Sequence, residues 1–378
     1  MRKSLVSAAV LVVLSTCFAA PAAGGTTSDR AFRTSLDQLM KAQNGPPGVT
    51  VQITTDGRSR YYSRGLGDVA AGTGPRLRDH ARIASVAKAF NGGIALSLVA
   101  EGELKLSDTI GEILPGLLPK ARRVTLAQML HHTGGLPDYI KDKRFIKVLQ
   151  TDPGQFLTPR KLVSFVRHKK LTARPGKKYE YSDTDNIVVG LMAERATGIP
   201  YNRLLKRQLY NPLRLNGTSL PRTLNMPNPY LRGYEITPGT PPENVTKFIN
   251  PALAWASGGI VSTLPDLGRF MRGYVPGDLF GSRIRRAQRS WVLGSSSPPG
   301  PGHNSAGLAL FRYRTRCGTV FGHTGSFPGY RIFAASSGDG RSSVAYIANA
   351  QIVPGRGSVE VNRLIRKSQT EAVCQALG

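Results

Sequence analysis

The sequence predicts an α/β (α+β) protein in which an antiparallel sheet flanked by helices is interrupted by a mostly helical lobe. Residues 29–43 have the apolar spacing of a helix, and the strand-like runs 49–54 and 60–65 follow it. Residues 104–244 are mostly helical in pattern, whereas the chain beyond residue 302 is rich in strands. Early and late segments would therefore share one sheet on either side of a helical insertion.

Helical spacing also covers residues 84–103 and continues, with breaks, through the middle of the chain. The breaks are prolines, at Pro115, Pro119, Pro137, Pro153, Pro159 and Pro175. The late elements are three strands and a closing helix, at residues 312–320, 330–336, 343–349 and 359–375.

This pattern divides the chain into two lobes. We assign residues 24–78 and 250–378 to the α/β lobe and residues 79–249 to the helical lobe. Because ligands favour the junction between such units, we expect the functional site where the lobes meet.

The first residues have the order of a secretory signal. Arg2 and Lys3 precede an apolar run, and small residues follow as far as Ala23. We therefore expect residues 1–23 to be a signal peptide and the protein to be secreted. A lipid anchor on Cys17 is the alternative, but Thr16 occupies a place that normally holds Gly, Ala or Ser.

Removal of the signal leaves two cysteines, Cys317 and Cys374. Disulfides persist outside the cytoplasm, so we expect these two to bond and to tie the last helix to a late strand. Two free thiols are the alternative.

The formal charge of +28 is large, and removal of the signal with its two basic residues leaves +26. Such a field attracts anionic cell-wall polymers, which we name as possible partners. A solvated basic surface without a partner is the alternative. We find no nucleic-acid-binding motif, so we expect no specific nucleic acid partner.

Ser85-Val86-Ala87-Lys88 is the one Ser-x-x-Lys of the sequence, at the start of a predicted helix. Residues three apart share a helix face, so the Lys88 amine can lie beside the Ser85 hydroxyl and activate it as a nucleophile. A helix-capping serine followed by an exposed lysine would give the same pattern.

Tyr181-Ser182-Asp183 lies in a predicted turn before an apolar helix. A phenol can relay a proton to a leaving group. A turn tyrosine with a solvated hydroxyl is the alternative.

His-Thr-Gly occurs twice, at His132 and at His323. The first follows a predicted helix, whereas the second continues a strand whose edge can pair with an extended substrate. We therefore choose His323, although a structural histidine at a strand end would fit the same pattern.

The order and spacing of these motifs resemble the serine DD-peptidase and class C β-lactamase family, the penicillin-recognising serine hydrolases. The resemblance extends from about Phe32 to the C-terminus, and the segments 82–88, 125–136 and 256–270 read as family signatures. The His-Thr-Gly variant and the placement of Cys317 and Cys374 are most similar to those of soluble secreted D-alanyl-D-alanine carboxypeptidases. The resemblance implies a β-lactamase/transpeptidase-like fold.

The resemblance also assigns roles to residues. Ser85 would form the acyl-enzyme, with Lys88 and Tyr181 handling protons. His323 would take the place of the usual lysine. The substrate-binding residues would be Asp183, Thr324, Gly325, Ser326 and Arg312, with Thr324 bonding a substrate carboxylate and the backbone N–H groups of Ser85 and Ser326 forming an oxyanion hole.

Asp183 departs from the family pattern, which more often has asparagine there. A carboxylate cannot donate a hydrogen bond to a substrate carbonyl. It would also stabilise the ammonium form of Lys88, which favours Tyr181 as the base.

The second departure concerns the arginine that, by the resemblance, would hold the terminal carboxylate of the substrate. Arg312, Arg314 and Arg316 alternate along one strand face, and we name Arg312. Phe311 is the alternative occupant of the key position, which would favour esterase or other D-amino-acid chemistry. A solvated basic strand face is the third reading.

We therefore expect a monomeric serine-type D-alanyl-D-alanine carboxypeptidase that acts on peptidoglycan-type peptides or β-lactams, without cofactor or metal. The alternatives are a β-lactamase or esterase using the same Ser85, and a non-catalytic cell-wall-binding protein. A Ser-His-Asp hydrolase is disfavoured because the sequence has no Gly-x-Ser-x-Gly. Metal hydrolysis is disfavoured because it has no His-Glu-x-x-His.

Overall fold

The computed structural model describes residues 27–352 and 358–378. The predicted signal peptide, with Cys17, lies outside the described residues. None of the helices in this part of the chain combines the length and the apolar character that a membrane span requires.

The helices of the described residues are α1 (Thr27–Met40), α2 (Ala87–Glu101), α3 (Ile110–Ile113), α4 (Leu126–Leu130), α5 (Lys143–Thr151), α6 (Pro159–Ser164), α7 (Asp183–Thr197), α8 (Tyr201–Leu205), α9 (Trp255–Gly258), α10 (Leu264–Tyr274), α11 (Gly281–Gln288) and α12 (Ser358–Leu377). The strands are β1 (Gly48–Thr55), β2 (Arg58–Gly65), β3 (Ala81–Arg82), β4 (Tyr234–Glu235), β5 (Glu243–Asn244), β6 (Val261–Ser262), β7 (Val292–Leu293), β8 (His303–Ala306), β9 (Phe311–Thr315), β10 (Gly318–Phe327), β11 (Tyr330–Ser336), β12 (Ser343–Ala348) and β13 (Ala350–Gln351).

Within the described residues, an eight-stranded antiparallel sheet has the order β2-β1-β12-β11-β10-β9-β8-β7. The early hairpin β1–β2 therefore joins the late strands through β12, where Val51 faces Tyr346 in the register. This arrangement confirms the predicted fold class, in which the two ends of the chain share one sheet. The lobe boundaries at residues 78 and 249 stay predictions.

Helices cover both faces of the sheet. On one face α1 and α12 bury apolar side chains such as Phe32 and Ile365 against the strands. On the other face α10 packs against β11 and β12, and Phe270 belongs to a core that continues into the helical segment. Because both faces are covered, every residue of β11 is buried.

Helix α2 lies at the centre of the helical segment, and all its residues from Ala87 to Val99 are buried. A helix that is apolar on every side belongs in an interior rather than at a surface. The peripheral helices α3 and α4 begin at capping boxes, in which Thr109 and Thr125 each exchange hydrogen bonds with the residue three positions on. A rigid, buried α2 holds the residues at its N-terminus in a fixed position.

The predicted strand 312–320 is wrong in one respect. The structure divides it into β9 and β10, which pair antiparallel with Thr315 opposite Gly318. The turn between them lies at Arg316 and Cys317, and Gly318 follows with a positive φ of 128°. Neither residue is typical of turns, so the sequence pattern predicted one continuous strand where the structure has a hairpin.

Cys317 and Cys374 form a disulfide across 57 residues of chain, as predicted. It joins the β9–β10 turn to α12, next to an ion pair in which Arg316 Nη2 lies 2.7 Å from Glu371 Oε2.

Replacing both cysteines by alanine is expected to lower the free energy of unfolding by about 4 kcal/mol, because the open loop gains chain entropy in the unfolded state. Urea unfolding followed by circular dichroism measures this value. Reductant should lower the midpoint of the wild type and leave that of the double variant unchanged. Equal midpoints for the two oxidised proteins would contradict the expectation.

Candidate active site

Ser85 lies in a 3₁₀ turn, Ala84–Val86, that leads directly into α2. The preceding Ala84 has a φ of +51°, the left-handed region that a residue with a Cβ rarely adopts. Such backbone strain persists only where the surroundings impose it, and it is frequent at functional sites. The turn presents Ser85 to a cleft of about 1170 Å³ that Tyr181, Asp183 and Ser326 also line.

Lys88 lies one helical turn beyond Ser85 and is fully buried. Its Nζ donates to Ser85 Oγ at 3.1 Å, to Asp183 Oδ1 at 2.5 Å and to the Ser257 carbonyl at 2.8 Å. An ammonium group has three donor hydrogens, and here each has an acceptor. The structure therefore brings Ser85, Lys88 and Asp183 together, as the sequence predicts for the first two.

The Tyr181 ring lies 5.0 Å from Lys88 Nζ, and its buried hydroxyl has no hydrogen-bond partner among the described residues. Burial and the Asp183 carboxylate raise the pKa of Tyr181 well above its usual value, while the nearby Ser85 hydroxyl lowers it in part. The resting phenol is therefore neutral. This differs from the expectation that Asp183 favours Tyr181 as the base, because the Asp183 carboxylate opposes the formation of a phenolate at Tyr181.

His323 lies on β10, fully buried, with its ring 6.4 Å from that of Tyr181 and 4.9 Å from that of Phe311. Burial, helped by the charge of Lys88, lowers the pKa of His323 to about 3. The ring is therefore neutral at pH 7, and its Nδ1–H donates to the Thr324 carbonyl at 2.5 Å. The Nε2 lone pair has no partner among the described residues, so His323 offers an acceptor and no positive charge.

Strand β10 extends past its neighbour β9, which pairs with it only from Gly318 to Gly322. The remaining residues, from His323 to Phe327, pair with β11 on the other side. Gly325 lies directly against the serine turn, since a Cβ there would come within 2.6 Å of the Ile83 carbonyl oxygen. The absence of a side chain at position 325 thus allows the strand edge to approach Ser85.

We expect Gly325→Ala to slow acylation of Ser85 by at least about tenfold and to lower the free energy of unfolding by about 1–3 kcal/mol, because the added methyl collides with backbone. Its other close neighbours would be Ala84 Cβ at 2.9 Å and Ser85 N at 3.2 Å. Stopped-flow acylation and urea unfolding measure the two effects. Gly74→Ala, where the nearest atom is 3.6 Å away, is the control. Acylation of the Gly325 variant at the wild-type rate would refute this role of the contact.

Two predicted substrate-binding residues are not brought to the cleft. Thr324 is fully buried, and its hydroxyl donates to the Pro298 carbonyl at 2.6 Å. Arg312 donates to Ser305 Oγ at 3.1 Å, and its guanidinium lies 4.8 Å from the centre of the Trp291 ring. On β9 the side chain of Arg312 alternates with the buried Phe311, so the strand turns it away from His323.

The sequence reasoning missed several groups that the structure places at the site. His132, from the rejected His-Thr-Gly, packs against Tyr181 with ring centres 4.5 Å apart and the ring planes tilted by 31°, and its Nδ1 lies 2.9 Å from Asp185 Oδ2. Burial lowers the pKa of His132 and raises the pKa of Asp185, so it opposes the charged form of both groups. The repeated His-Thr-Gly was the signal for this residue, but the sequence could not show that both copies meet at Tyr181.

Asp138 was also missed. It lines the cleft, and its Oδ1 accepts a hydrogen bond of 3.2 Å from the backbone N–H of Asp183. Burial and the neighbouring Asp183 raise the pKa of Asp138 to about 7. Two carboxyl groups therefore lie within reach of a substrate bound at Ser85.

A serine hydroxyl contacted by a buried lysine, beside a tyrosine and a strand edge, is the arrangement of a serine hydrolase. The Beta-lactamase family model matches residues 32–365, and the chain belongs to this family of serine hydrolases in the penicillin-binding superfamily.

Known proteins similar to this chain include two from Escherichia coli K12. A beta-lactamase is 26% identical over 279 residues, which are 72% of this chain and 67% of that protein. The D-alanyl-D-alanine-carboxypeptidase/endopeptidase AmpH is 28% identical over 262 residues, 66% of this chain and 63% of that protein. The chain thus matches about two thirds of the length of these relatives.

Among solved structures, a D-stereospecific amidohydrolase from Streptomyces superposes with a TM-score of 0.76 and 27% identity, covering 88% of this chain and 97% of that one. The D-amino acid amidase from Ochrobactrum anthropi SV3 has a TM-score of 0.80 at 23% identity, covering 92% and 99%. The similarity to the D-amino acid amidase shows that the two proteins share a fold.

Proposed function

We propose that this protein is a serine-type D-alanyl-D-alanine carboxypeptidase that forms an acyl-enzyme at Ser85. The observation that carries the proposal is the 3.1 Å contact between Lys88 Nζ and Ser85 Oγ at the edge of an open cleft. The preference for peptides is supported by the edge of β10 that β9 leaves open beside Ser85. The choice of D-alanyl-D-alanine is supported by the likeness to AmpH.

The proposed proton path begins at the 2.5 Å contact between Lys88 and Asp183. Lys88 passes a proton to the Asp183 carboxylate and becomes a neutral amine, which then accepts the proton of Ser85 as Oγ attacks the substrate carbonyl. The neutral Tyr181 phenol protonates the leaving amine and recovers its proton from Lys88, and Asp183 returns the first proton. The net result is transfer of the Ser85 proton to the leaving group.

A second candidate function is hydrolysis of D-amino-acid amides that carry a free amino group. The observation that favours it is the pair Asp138 and Asp183, whose carboxyl groups line the cleft and would attract an ammonium. The likeness to the Streptomyces D-stereospecific amidohydrolase supports the same chemistry.

The deciding experiment compares three substrates with the purified protein. These are an N-acetylated peptide ending in D-Ala-D-Ala, the same peptide with a free amine, and a D-amino-acid amide. The proposal expects release of D-alanine from the acetylated peptide, whereas a protein that cleaves only the amide is an amidase. A protein that benzylpenicillin acylates but that releases no D-alanine would refute the carboxypeptidase.

The time course of the penicilloyl adduct on Ser85 distinguishes a β-lactamase, the third candidate activity, from a carboxypeptidase. A carboxypeptidase keeps the adduct for many turnovers of its peptide, whereas a β-lactamase loses it rapidly to water. Intact-protein mass spectrometry at successive times after mixing follows both acylation and its reversal.

We also propose that the protein is secreted and has affinity for anionic cell-wall polymers. The signal-like residues 1–23 and the charge of +28 support this. N-terminal sequencing of protein from culture medium is expected to begin near Gly24, and an intact N-terminus would contradict export by cleavage. Sedimentation with purified wall material that persists at high salt would contradict the electrostatic binding.

A further inference from the structure

Tyr181 lies in a stretch without helix or strand, residues 178–182, and His132 contacts three consecutive residues of it. The N–H of Glu180 donates to the His132 carbonyl at 2.7 Å, and the N–H of Ser182 donates to His132 Nδ1 at 3.4 Å. Between these two contacts the His132 ring packs on the phenol ring of Tyr181, with ring centres 4.5 Å apart. One side chain and its backbone therefore define where this stretch places Tyr181.

The backbone of His132 is strained. Its φ is +56°, in the left-handed region that a residue with a Cβ rarely adopts, and the residue is 3% exposed. Ala84, directly before the nucleophile, has the same kind of conformation. Strain of this kind persists only where the surroundings impose it and is concentrated at functional sites. A glycine or asparagine would adopt this conformation at lower cost, so a histidine here indicates that its ring is needed.

Asp185, in the first turn of α7, pairs with the His132 ring. Its Oδ2 lies 2.9 Å from His132 Nδ1, and the residue is 1% exposed. Two acceptor atoms come this close only with a hydrogen between them, so the ring and the carboxyl share a proton. Its Oδ1 has no hydrogen-bond partner among the described residues. The hydrogen bond to Asp185 therefore fixes how the His132 ring is turned toward Tyr181.

We propose that His132 and Asp185 form a positioning pair that holds the Tyr181 hydroxyl where it protonates the leaving group. This inference rests on the proposed function, in which the neutral phenol is the proton donor. The hydroxyl has no hydrogen-bond partner among the described residues, so the contacts of the ring and of the neighbouring backbone determine its place. Both members of the pair are buried, so they act through Tyr181 and do not touch the substrate. A displacement of about 1 Å in a reacting group can cost about a hundredfold in rate.

Other hydrogen bonds join the segment after α4 to the segment before α7, and they remain when the pair is altered. The Gly176 N–H donates to the Thr133 carbonyl at 2.7 Å, and the Thr184 hydroxyl donates to the Pro137 carbonyl at 2.7 Å. Variants of the pair should therefore fold, and their effect should be on the placement of the phenol.

The experiment combines variants of the pair with Tyr181→Phe and measures kcat and KM for the D-Ala-D-Ala peptide and for a thioester, whose leaving group needs no proton. His132→Asn removes the ring and tolerates the left-handed backbone. We expect it to lower kcat for the peptide about ten- to a hundredfold, with KM within about twofold, and kcat for the thioester less than about threefold. In Tyr181→Phe the same substitution should have less than about a twofold further effect on the peptide, since no hydroxyl is left to position.

Substitutions of Asp185 test the second member of the pair. Asp185→Asn keeps a hydrogen bond to the ring and should retain at least about half of the wild-type kcat for the peptide, whereas Asp185→Leu removes this bond and should behave like His132→Asn. His131→Asn is the control, because the neighbouring His131 ring contacts the Ser290 carbonyl at 2.6 Å instead. The control should leave the kinetic constants for both substrates within about twofold of the wild type.

The inference is overturned if His132→Asn and Tyr181→Phe multiply in their effects on the peptide, because His132 would then act independently of the hydroxyl. Equal slowing of peptide and thioester by His132→Asn, while Tyr181→Phe distinguishes them, would also overturn it. Failure of the carboxypeptidase proposal has a different signature, because the wild type would then release no D-alanine. The acylation rate with benzylpenicillin, whose leaving nitrogen also takes a proton, then replaces hydrolysis of the peptide in the same comparison.

Discussion

Ser85→Ala is expected to lower turnover of every substrate by roughly a millionfold, the order observed when a serine hydrolase loses its nucleophile. The variant should fold normally, because Lys88 keeps its hydrogen bonds to Asp183 and to the Ser257 carbonyl. Mass spectrometry after incubation with benzylpenicillin should show an adduct on the wild type and none on the variant.

Ser97→Ala is the matched control for this experiment. Ser97 lies on the same helix, α2, and its hydroxyl donates to the Leu279 carbonyl at 3.4 Å, away from the cleft. The Ser97→Ala variant should be acylated by benzylpenicillin at the wild-type rate. A penicilloyl adduct on the folded Ser85 variant would mean that another residue is the nucleophile, and the proposed chemistry would fail.

The architecture could be predicted from the sequence because its signals are periodic. The helix predicted at residues 29–43 is α1, and the strands predicted at 49–54 and 60–65 are β1 and β2. The buried residues of α1 recur at helical spacing, and β1 is a short run that is buried almost throughout, so both leave a recognisable pattern of apolar residues. The short strands β7 and β8 were missed because two to four residues are too few to show a period.

The predictable part of the site is the part encoded locally. Ser85 and Lys88 are one helical turn apart, so their contact follows from helix geometry. Arg312 shows the limit of such reasoning. The alternation of side chains along a strand correctly places Arg312 and the buried Phe311 on opposite faces of β9. The sequence does not show which of these faces lies toward the cleft.

Arg331 illustrates the opposite case, a residue that the sequence marks in a way that was overlooked. It is the charge within Tyr330–Ser336, a strand otherwise free of charged residues. Charged side chains are rarely buried, so a charge inside an apolar strand stands out in the sequence. Arg331 lines the same cleft as Ser85, because it pairs with Ser326 and because β10 approaches the serine turn, and the sequence reveals neither contact.

Tyr181→Phe should show whether the phenol donates a proton to the leaving group or acts as the base that activates Ser85. Because the structure makes Tyr181 a neutral proton donor, its loss should slow hydrolysis of the D-Ala-D-Ala peptide by about 10²- to 10⁴-fold, since an amine leaves only when protonated. A thiolate leaves without a proton, so hydrolysis of a thioester substrate, a benzoylglycyl thioester of thioglycolate, should fall less than about tenfold. Steady-state kinetics with both substrates at several pH values measures the difference.

The stability of this variant provides an independent check on the same hydroxyl. The Tyr181 hydroxyl is buried and has no hydrogen-bond partner in the part of the chain that the structure describes, so its removal should leave the free energy of unfolding unchanged or raise it. Tyr139→Phe is the matched control, because the buried Tyr139 hydroxyl donates to the Leu253 carbonyl at 2.7 Å. Its loss should lower stability by about 1–3 kcal/mol and leave the selectivity between peptide and thioester unchanged. If Tyr181→Phe slows both substrates equally, Tyr181 is the base that activates Ser85, and the proton path through Lys88 and Asp183 is wrong.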